Sequence, residues 1–320
     1  MECIPLEDSP EARMVPAGRY AYAYGDSLMA VLDLFSDYSV RIFDYQGHLI
    51  HRLSQQGRGT GYYGLAYDLL FDEPSGLLVI LDPTGKIIRY SIADGFSFHD
   101  EVSFLGPIRA AHNICKLSED TYILFSRSEK YQLYITSFKD GNTVPIKYAV
   151  PDWLMFSPFT SAITPLYSFD GNARFVNGVD GTIFTIKGGR LAPYIRWDLG
   201  RYRLSIKDIP PDKTLKYYST IFQKSSYRYA TQFSMGQETE RYVFSQFYFQ
   251  NQTNLLIYDK EADKTQIVRR TAEGLPLFLG TFRGNTMYLT VRPDRVREYV
   301  NDVSLPDSLN NHILIKYVLK

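Results

Sequence analysis

The 320-residue sequence predicts an all-β fold, a six-bladed β-propeller of four-stranded antiparallel blades, and three observations predict it. Strand-like runs joined by glycine turns recur about every 48 residues. Units of roughly 40–50 residues with four strands each are the signature of propeller blades. Tyr and Phe, 26 and 20 of them, lift the aromatic share to 15%, and both favour pleated surfaces. The last run, His312 to Leu319, has no following partner, and the first, Cys3-Ile4-Pro5-Leu6, has no preceding one. Pairing the N-terminal run with the C-terminal blade closes the ring and removes two open sheet edges at once.

The first unit reads Leu28 to Asp33, then Val40 to Asp44, a turn at Gly47, and His48-Leu49-Ile50. The second reads Leu77 to Asp82, then Lys86 to Tyr90, with Asp94-Gly95 after it. Thr121 to Phe125, Gln132 to Ile135 and Asp140-Gly141 form the third, and Arg174 to Val176, Thr182 to Ile186 and Gly188-Gly189 the fourth. Asp-Gly and Gly-Gly between such runs mark hairpins, because glycine reaches positive φ without a Cβ clash. The turn glycines at 47, 95, 141 and 188 step by 48, 46 and 47 residues. The fifth turn centres near residue 262, after Tyr242 to Phe244 and Asn254 to Tyr258, one period plus about 26 residues later. Met287 to Thr290 and Ile313 to Val318 complete a sixth unit.

Residues 1–320 therefore read as one propeller domain with an insertion at about 203–226 between blades four and five. In it, Pro210-Pro211-Asp212 precedes 213–224 and suits the start of a short helix. Lys and Arg total 35, as do Asp and Glu, and a balanced charge excludes the usual electrostatic footprint of a nucleic-acid binder. No run of eighteen apolar residues occurs, so no transmembrane helix is expected. Cys3 and Cys115 are both expected to be free, and no signal peptide is legible at the start.

Ile42-Phe43-Asp44-Tyr45-Gln46-Gly47-His48-Leu49-Ile50, followed by Gln56-Gly57-Arg58-Gly59-Thr60-Gly61-Tyr62-Tyr63, resembles the six-bladed β-propeller lipoproteins of Bacteroidetes. Ile4 to Glu7 and Ile313 to Tyr317 sit where that family places similar segments, and the likeness is sharpest over residues 28–90. More distantly the units resemble NHL-type repeats. Thr60 stands where the family has Pro and Tyr62 where it has Glu, so any role of that acidic group is absent. The resemblance implies an exported protein of the periplasm or cell envelope and implies no particular reaction.

Chemistry-bearing residues are few. The Gln55-to-Gly64 loop carries four glycines and Arg58, and is expected at the mouth of the central channel. One reading is a ligand contact by the Arg58 fork with Tyr62 or Tyr63 stacked beside it. The other is a tight inter-blade crossing, since glycine-rich turns are common in β-rich chains. No Gly-Lys-Ser/Thr follows, so it is not a phosphate loop. Asp33 and Asp82, 49 residues apart, and Asp180 are the carboxylates a glycoside hydrolase would use, or else turn residues bonded to their own loops.

His112, near Arg109, is the one histidine expected to face the channel. No His-Glu-x-x-His, Cys-x-x-Cys or Gly-x-Ser-x-Gly occurs, so neither a metal nor another cofactor is expected. Trp153, Phe156 and Phe159, and Tyr217, Tyr218, Phe222, Tyr227 and Tyr229 in or after the insertion, either contact a ligand or pack the loops. The functional expectation is a non-enzymatic propeller binding an envelope protein or a carbohydrate-type ligand at the channel mouth, through Arg58, Tyr62, Tyr63, Arg109, His112 and Trp153. The alternatives are a carbohydrate-active hydrolase or lyase and a ligand-free scaffold.

Overall fold

Among the described residues, twenty-four strands form six four-stranded antiparallel sheets in the computed structural model. It describes residues 1–15, 18–106, 108, 110–127, 129, 131–147, 164–204, 207, 224, 228–272, 274, 280–299 and 309–319. In chain order, β1 (Glu2–Pro5) precedes the first complete blade, β2 (Tyr20–Tyr24), β3 (Leu28–Asp33), β4 (Val40–Asp44) and β5 (Leu49–Leu53). The second blade is β6 (Asp68–Asp72), β7 (Leu77–Asp82), β8 (Lys86–Ser91) and β9 (Ser97–Ser103). The third is β10 (Asn113–Ser118), β11 (Thr121–Phe125), β12 (Leu133–Ser137) and β13 (Thr143–Pro145). The fourth is β14 (Leu166–Phe169), β15 (Asn172–Val176), β16 (Ile183–Lys187) and β17 (Arg190–Ile195). The fifth is β18 (Thr231–Glu238), β19 (Tyr242–Phe249), β20 (Gln252–Asp259) and β21 (Lys264–Val268). The last comprises β22 (Thr281–Arg283), β23 (Thr286–Val291) and β24 (Ile313–Val318), completed by β1. The fold is thus the six-bladed propeller, with little helix among the described residues.

The glycine repeat marks one turn in each of four blades, the hairpin from the third strand to the outer one, and the fifth blade makes the same turn with Asp263 at positive φ in place of glycine. The last blade needs no such turn, because its outer strand is β1, with Glu2 opposite Lys316 and Pro5 opposite Ile313. This is the closure expected from the two unpartnered runs. The first strands of the blades, which the sequence pattern did not mark, are the inner ones: β2 borders β6, and β14 borders both β10 and β18.

The chain divides into two compact units. One comprises Met1–Ser103, Arg270–Pro276 and Gly280–Lys320, with the last, first and second blades. The period-two alternation of a strand sends its side chains to opposite faces, and here each face meets a different neighbour. Along β3, Met29 and Val31 pack with Phe43 and Leu314, whereas Ala30 and Leu32 pack with Ile42, Leu78 and Ile80. Both faces are buried, so β3 and β7 read as continuous apolar runs. The seven-residue helix Pro293–Tyr299 lies between β23 and β24 and tucks Val296 against Ile313 and Ile315.

The other unit, Phe104–Arg269 with Leu277–Leu279, holds blades three to five. Ile123, Phe125 and Leu133 pack on Leu166, Phe175 and Ile186. Tyr167, Val176 and Ile183 pack on Phe233, Val243, Phe247 and Leu256. Most of the 203–226 insertion lies outside the described residues. Cys3 is partly exposed and Cys115 buried, and neither is in a disulfide.

Candidate functional site

In the first unit, Gln55 to Gly64 joins the outer strand β5 to the inner strand β6 of the next blade. Tyr63 anchors it: the ring is fully buried, and its hydroxyl donates to the Tyr38 carbonyl at 2.8 Å. Gly57 N–H and Tyr63 N–H bond across the loop, to Tyr63 and Gln55 carbonyls. Gly61 N–H donates to Glu101 Oε2 at 3.0 Å and Gly64 N–H to Asp82 Oδ2 at 2.7 Å. Lys86 Nζ bridges Glu101 and the Gly59 carbonyl. Gly59 and Gly61 sit at φ of 105° and 77°, where a Cβ clashes with the backbone. The Gly61 and Gly64 donors are therefore engaged by the protein's own carboxylates, and the Gly57 donor by the Tyr63 carbonyl. What remains at the tip is Arg58, exposed and without a partner among the described residues, and the 43% exposed Tyr62 ring lying over Gly57.

The three aspartates each hold a turn. Asp33 Oδ1 accepts from Phe35 and Ser36 N–H, while its buried Oδ2 has no hydrogen-bond partner among the described residues. Asp82 Oδ1 accepts from Thr84 and Oδ2 from Gly64 and Leu65. Asp180 Oδ1 accepts from Thr182 N–H and Oδ2 pairs with Arg203 at 2.8 Å. Such Asx turns are what Asp does in loops. His112 is half-buried; burial first, then the Arg127 charge, lower its ring to about 4, so it is neutral at pH 7. Arg109, Trp153, Phe156, Phe159, Tyr217, Tyr218, Phe222 and Tyr227 lie outside the described residues. Arg58, Tyr62 and Tyr63 stand together in the first unit, with Asp82 at the base of their loop. Asp180 and His112 belong to the second unit. Among the described residues no three His, Cys, Asp or Glu side chains gather as a metal site, and no helix is long and apolar enough to cross a membrane.

A second constellation, in blades four and five of the second unit, was not anticipated. Arg174, within β15, and Glu238, at the end of β18, have side chains 8% and 1% exposed, their Nε and Oε2 3.5 Å apart. Lys260 Nζ reaches Glu238 Oε1 at 3.0 Å, and the Tyr194 hydroxyl donates to the same oxygen at 2.6 Å. Burial, then this hydrogen bond, push the Tyr194 phenol up to about 12, so it stays a donor. Tyr194 is the extra residue of a β-bulge, since Ile183 pairs with Ile195 but Phe184 with Pro193. Bulges re-aim side chains. The Arg174 guanidinium lies 4.3 Å from the Tyr194 ring centre. Behind them Tyr167 is buried, and burial followed by the Glu238 charge pushes its phenol well above the usual value. Among the described residues its hydroxyl, Arg174 Nε and Nη1, and Glu238 Oε2 lack hydrogen-bond partners. In front of Tyr194 opens a groove of about 540 Å³, bounded by Tyr194 to Leu199 and by Leu256, Tyr258, Asp263 and Thr265. The available signal was opposite charge at strand positions that should be buried, Arg174 and Glu238, together with the second tryptophan, Trp197.

The family model described as "Domain of unknown function (DUF4934)" matches residues 1–311, and the chain belongs to that family. No curated protein matches it. The crystal structure of a candidate exported protein of Bacteroides fragilis NCTC 9343 superposes with a TM-score of 0.75 at 16% identity, covering 100% of this chain and 95% of that one. At that identity the likeness shows the fold alone. The C-terminal WD40 domain of Sif2 reaches a TM-score of 0.45 at 10% identity, covering 90% of this chain and 70% of that one.

Proposed function

We propose that this DUF4934 member is a non-enzymatic binding protein exported to the bacterial cell envelope, docking an envelope protein or a carbohydrate-type ligand through Arg58 and Tyr62. One observation carries the reading. The Gln55–Gly64 loop is cross-braced by Glu101, Asp82, Lys86 and Tyr63, yet it ends in an unpaired guanidinium and an exposed ring. A rigid loop presenting an arginine and an aromatic loses little conformational entropy on binding, and these residue types dominate binding hot spots. The loop connects an outer strand to the next inner one, a connection that in propellers opens toward the channel mouth. Export is supported by the likeness in fold to the candidate exported protein of Bacteroides fragilis. The family resemblance adds a lipid-anchored precursor to the same reading.

A carbohydrate-active hydrolase or lyase is the lesser reading. It rests on Asp33, whose Oδ2 is unpartnered, and it requires a second carboxylate about 5–9.5 Å away. Asp82 and Asp180, the other candidates, have both oxygens engaged.

The test is a thermal-shift screen of the wild type and of an Arg58→Ala/Tyr62→Ala variant against oligosaccharides and peptidoglycan fragments, with crosslinking to envelope proteins in parallel. A ligand or partner engaged by the wild type and lost in a variant of unchanged intrinsic Tm supports the assignment. A variant that unfolds early but binds as well as the wild type gives the loop a purely structural role.

A further inference from the structure

The groove in front of Tyr194 lies between the outer strand of blade four and the two outer strands of blade five. Its volume of about 540 Å³ falls in the range of roughly 300–1,000 Å³ typical of small-molecule sites. We propose that it is a second binding site, independent of the Arg58 loop, that takes a neutral pyranose ring of a glycan stacked on Tyr194.

Tyr194 is built as a fixed platform. The bulge at 194 turns it, the hydrogen bond to Glu238 pins its hydroxyl, and the Arg174 guanidinium lies over the ring. Tyr194 as a whole stays 40% exposed and lines the groove. An aromatic ring already held in place loses no rotamer freedom when a ligand stacks on it. The face of a pyranose presents a row of C–H groups, slightly positive, and these complement the negative face of an aromatic ring. Trp197, 6% exposed, and Leu256, 2% exposed, add apolar wall beside it.

The polar groups around this platform select the ligand's charge. Asp198 gives one carboxylate oxygen to Gly200 N–H, and Asp263 gives one to the Tyr258 hydroxyl. The second oxygen of each has no partner among the described residues, and both side chains are exposed in the groove wall. Among the described residues Arg196 is the one cation lining it. Two acceptor carboxylates against one guanidinium disfavour phosphate, sulfate or a uronate. They suit vicinal hydroxyls, which donate to a carboxylate and accept from an arginine.

The experiment exploits the two tryptophans of the chain, Trp153 and Trp197. With Trp153→Phe as background, Trp197 fluorescence reports on the groove while neutral sugars are titrated. Methyl glucopyranoside, methyl galactopyranoside and N-acetylglucosamine represent free sugars; maltopentaose, cellopentaose and chitopentaose represent glycan chains; glucuronate is the charged counterpart. The proposal expects a saturable signal with at least one neutral sugar and about tenfold weaker binding of the uronate. It also expects about tenfold loss of affinity in Tyr194→Ala, and no change in Arg58→Ala. Stronger response to oligomers than to monosaccharides assigns a glycan chain; equal response assigns a free sugar. Because Tyr194→Ala removes a hydrogen bond to a buried carboxylate, Asp263→Ala, an exposed change, is measured alongside and is expected to weaken binding with the circular dichroism spectrum intact. Absence of a saturable signal with every neutral sugar, preference for glucuronate, or full affinity in folded Asp263→Ala and Tyr194→Ala each overturns the proposal.

Discussion

The Tyr194 hydroxyl donates to Glu238 Oε1 at 2.6 Å, joining the outer strand of blade four to the inner strand of blade five. That length is typical of an O–H···O⁻ bond, which is roughly twice as strong as a neutral one. Removing the hydroxyl in Tyr194→Phe is expected to cost roughly 1–2 kcal/mol. Glu238→Gln costs more, roughly 3 kcal/mol, because it leaves Arg174 and Lys260 without their carboxylate in a buried setting. Urea denaturation of the two single variants and the double gives the coupling between them, and additive effects would deny that the pair acts together.

Beside this pair Gly236 passes so close to blade four that a Cβ would stand 2.5 Å from Tyr167 Cε1 and 2.6 Å from Val176 Cγ2. Neither contact can yield cheaply, since both side chains are buried. Gly236→Ala is therefore expected to destabilise by about 1–3 kcal/mol through overpacking. A denaturation midpoint equal to that of the wild type would show that the blades have room to separate.

Stability should fall as the solution is acidified from pH 6.5 toward 4. Burial lowers both His112 and His312 to about 4, helped by the Arg127 charge at the first and Arg292 at the second. The unfolded chain takes up these protons near pH 6.5 and the folded chain only near 4. The unfolded state thus binds more protons in that window, and the contribution is complete above 6.5 and lost through 4. After discounting for partial exposure, the combined loss by pH 5 is roughly 2 kcal/mol. Asp37 adds nothing there. Burial opposes its ionisation, but hydrogen bonds from Ser39, the Arg41 charge and a hydrogen bond from Arg52 outweigh that and hold it at about 2. Urea midpoints at pH 7 and 5, with His312→Gln flattening the difference, check the assignment.

Tyr62 and Tyr63 are adjacent in sequence and opposite in role. Tyr63→Ala empties a fully buried site and leaves the Gln55 N–H without its acceptor, an expected loss of about 3–5 kcal/mol. Tyr62→Ala, at the exposed tip, should stay within about 0.5 kcal/mol of wild type. Parallel thermal melts of the two variants distinguish them, and similar losses in both would mean that the Tyr62 ring braces the loop over Gly57.

The blades were legible where turn chemistry is local. Gly47, Gly95, Gly141 and Gly188 mark third-to-outer turns because positive φ leaves a mark on composition. The inner strands were not legible. β14 has only four residues, and β18 carries Gln232, Ser234, Gly236 and Gln237 among its apolar positions, so neither shows a clean period. Their strand character comes from neighbours on both sides, a tertiary effect. The Tyr194 constellation is harder still. Arg174 and Glu238 lie on different blades, and a single inserted residue, Tyr194 itself, sets which side of β17 meets the carboxylate. Nothing in local composition encodes that register.

The closure of the last blade by β1 has a topological consequence. With Glu2 opposite Lys316, the chain's two ends are neighbours held by a sheet, so where the polypeptide starts is separable from where the blades are. A circular permutant that joins the present ends by a short linker and reopens at Ala93-Asp94-Gly95, between β8 and β9, keeps every strand pair. Only the blade that is zipped from two distant segments changes. The seam would move from the last blade to the second, and with it the strand whose docking must wait until the rest of the chain has been made.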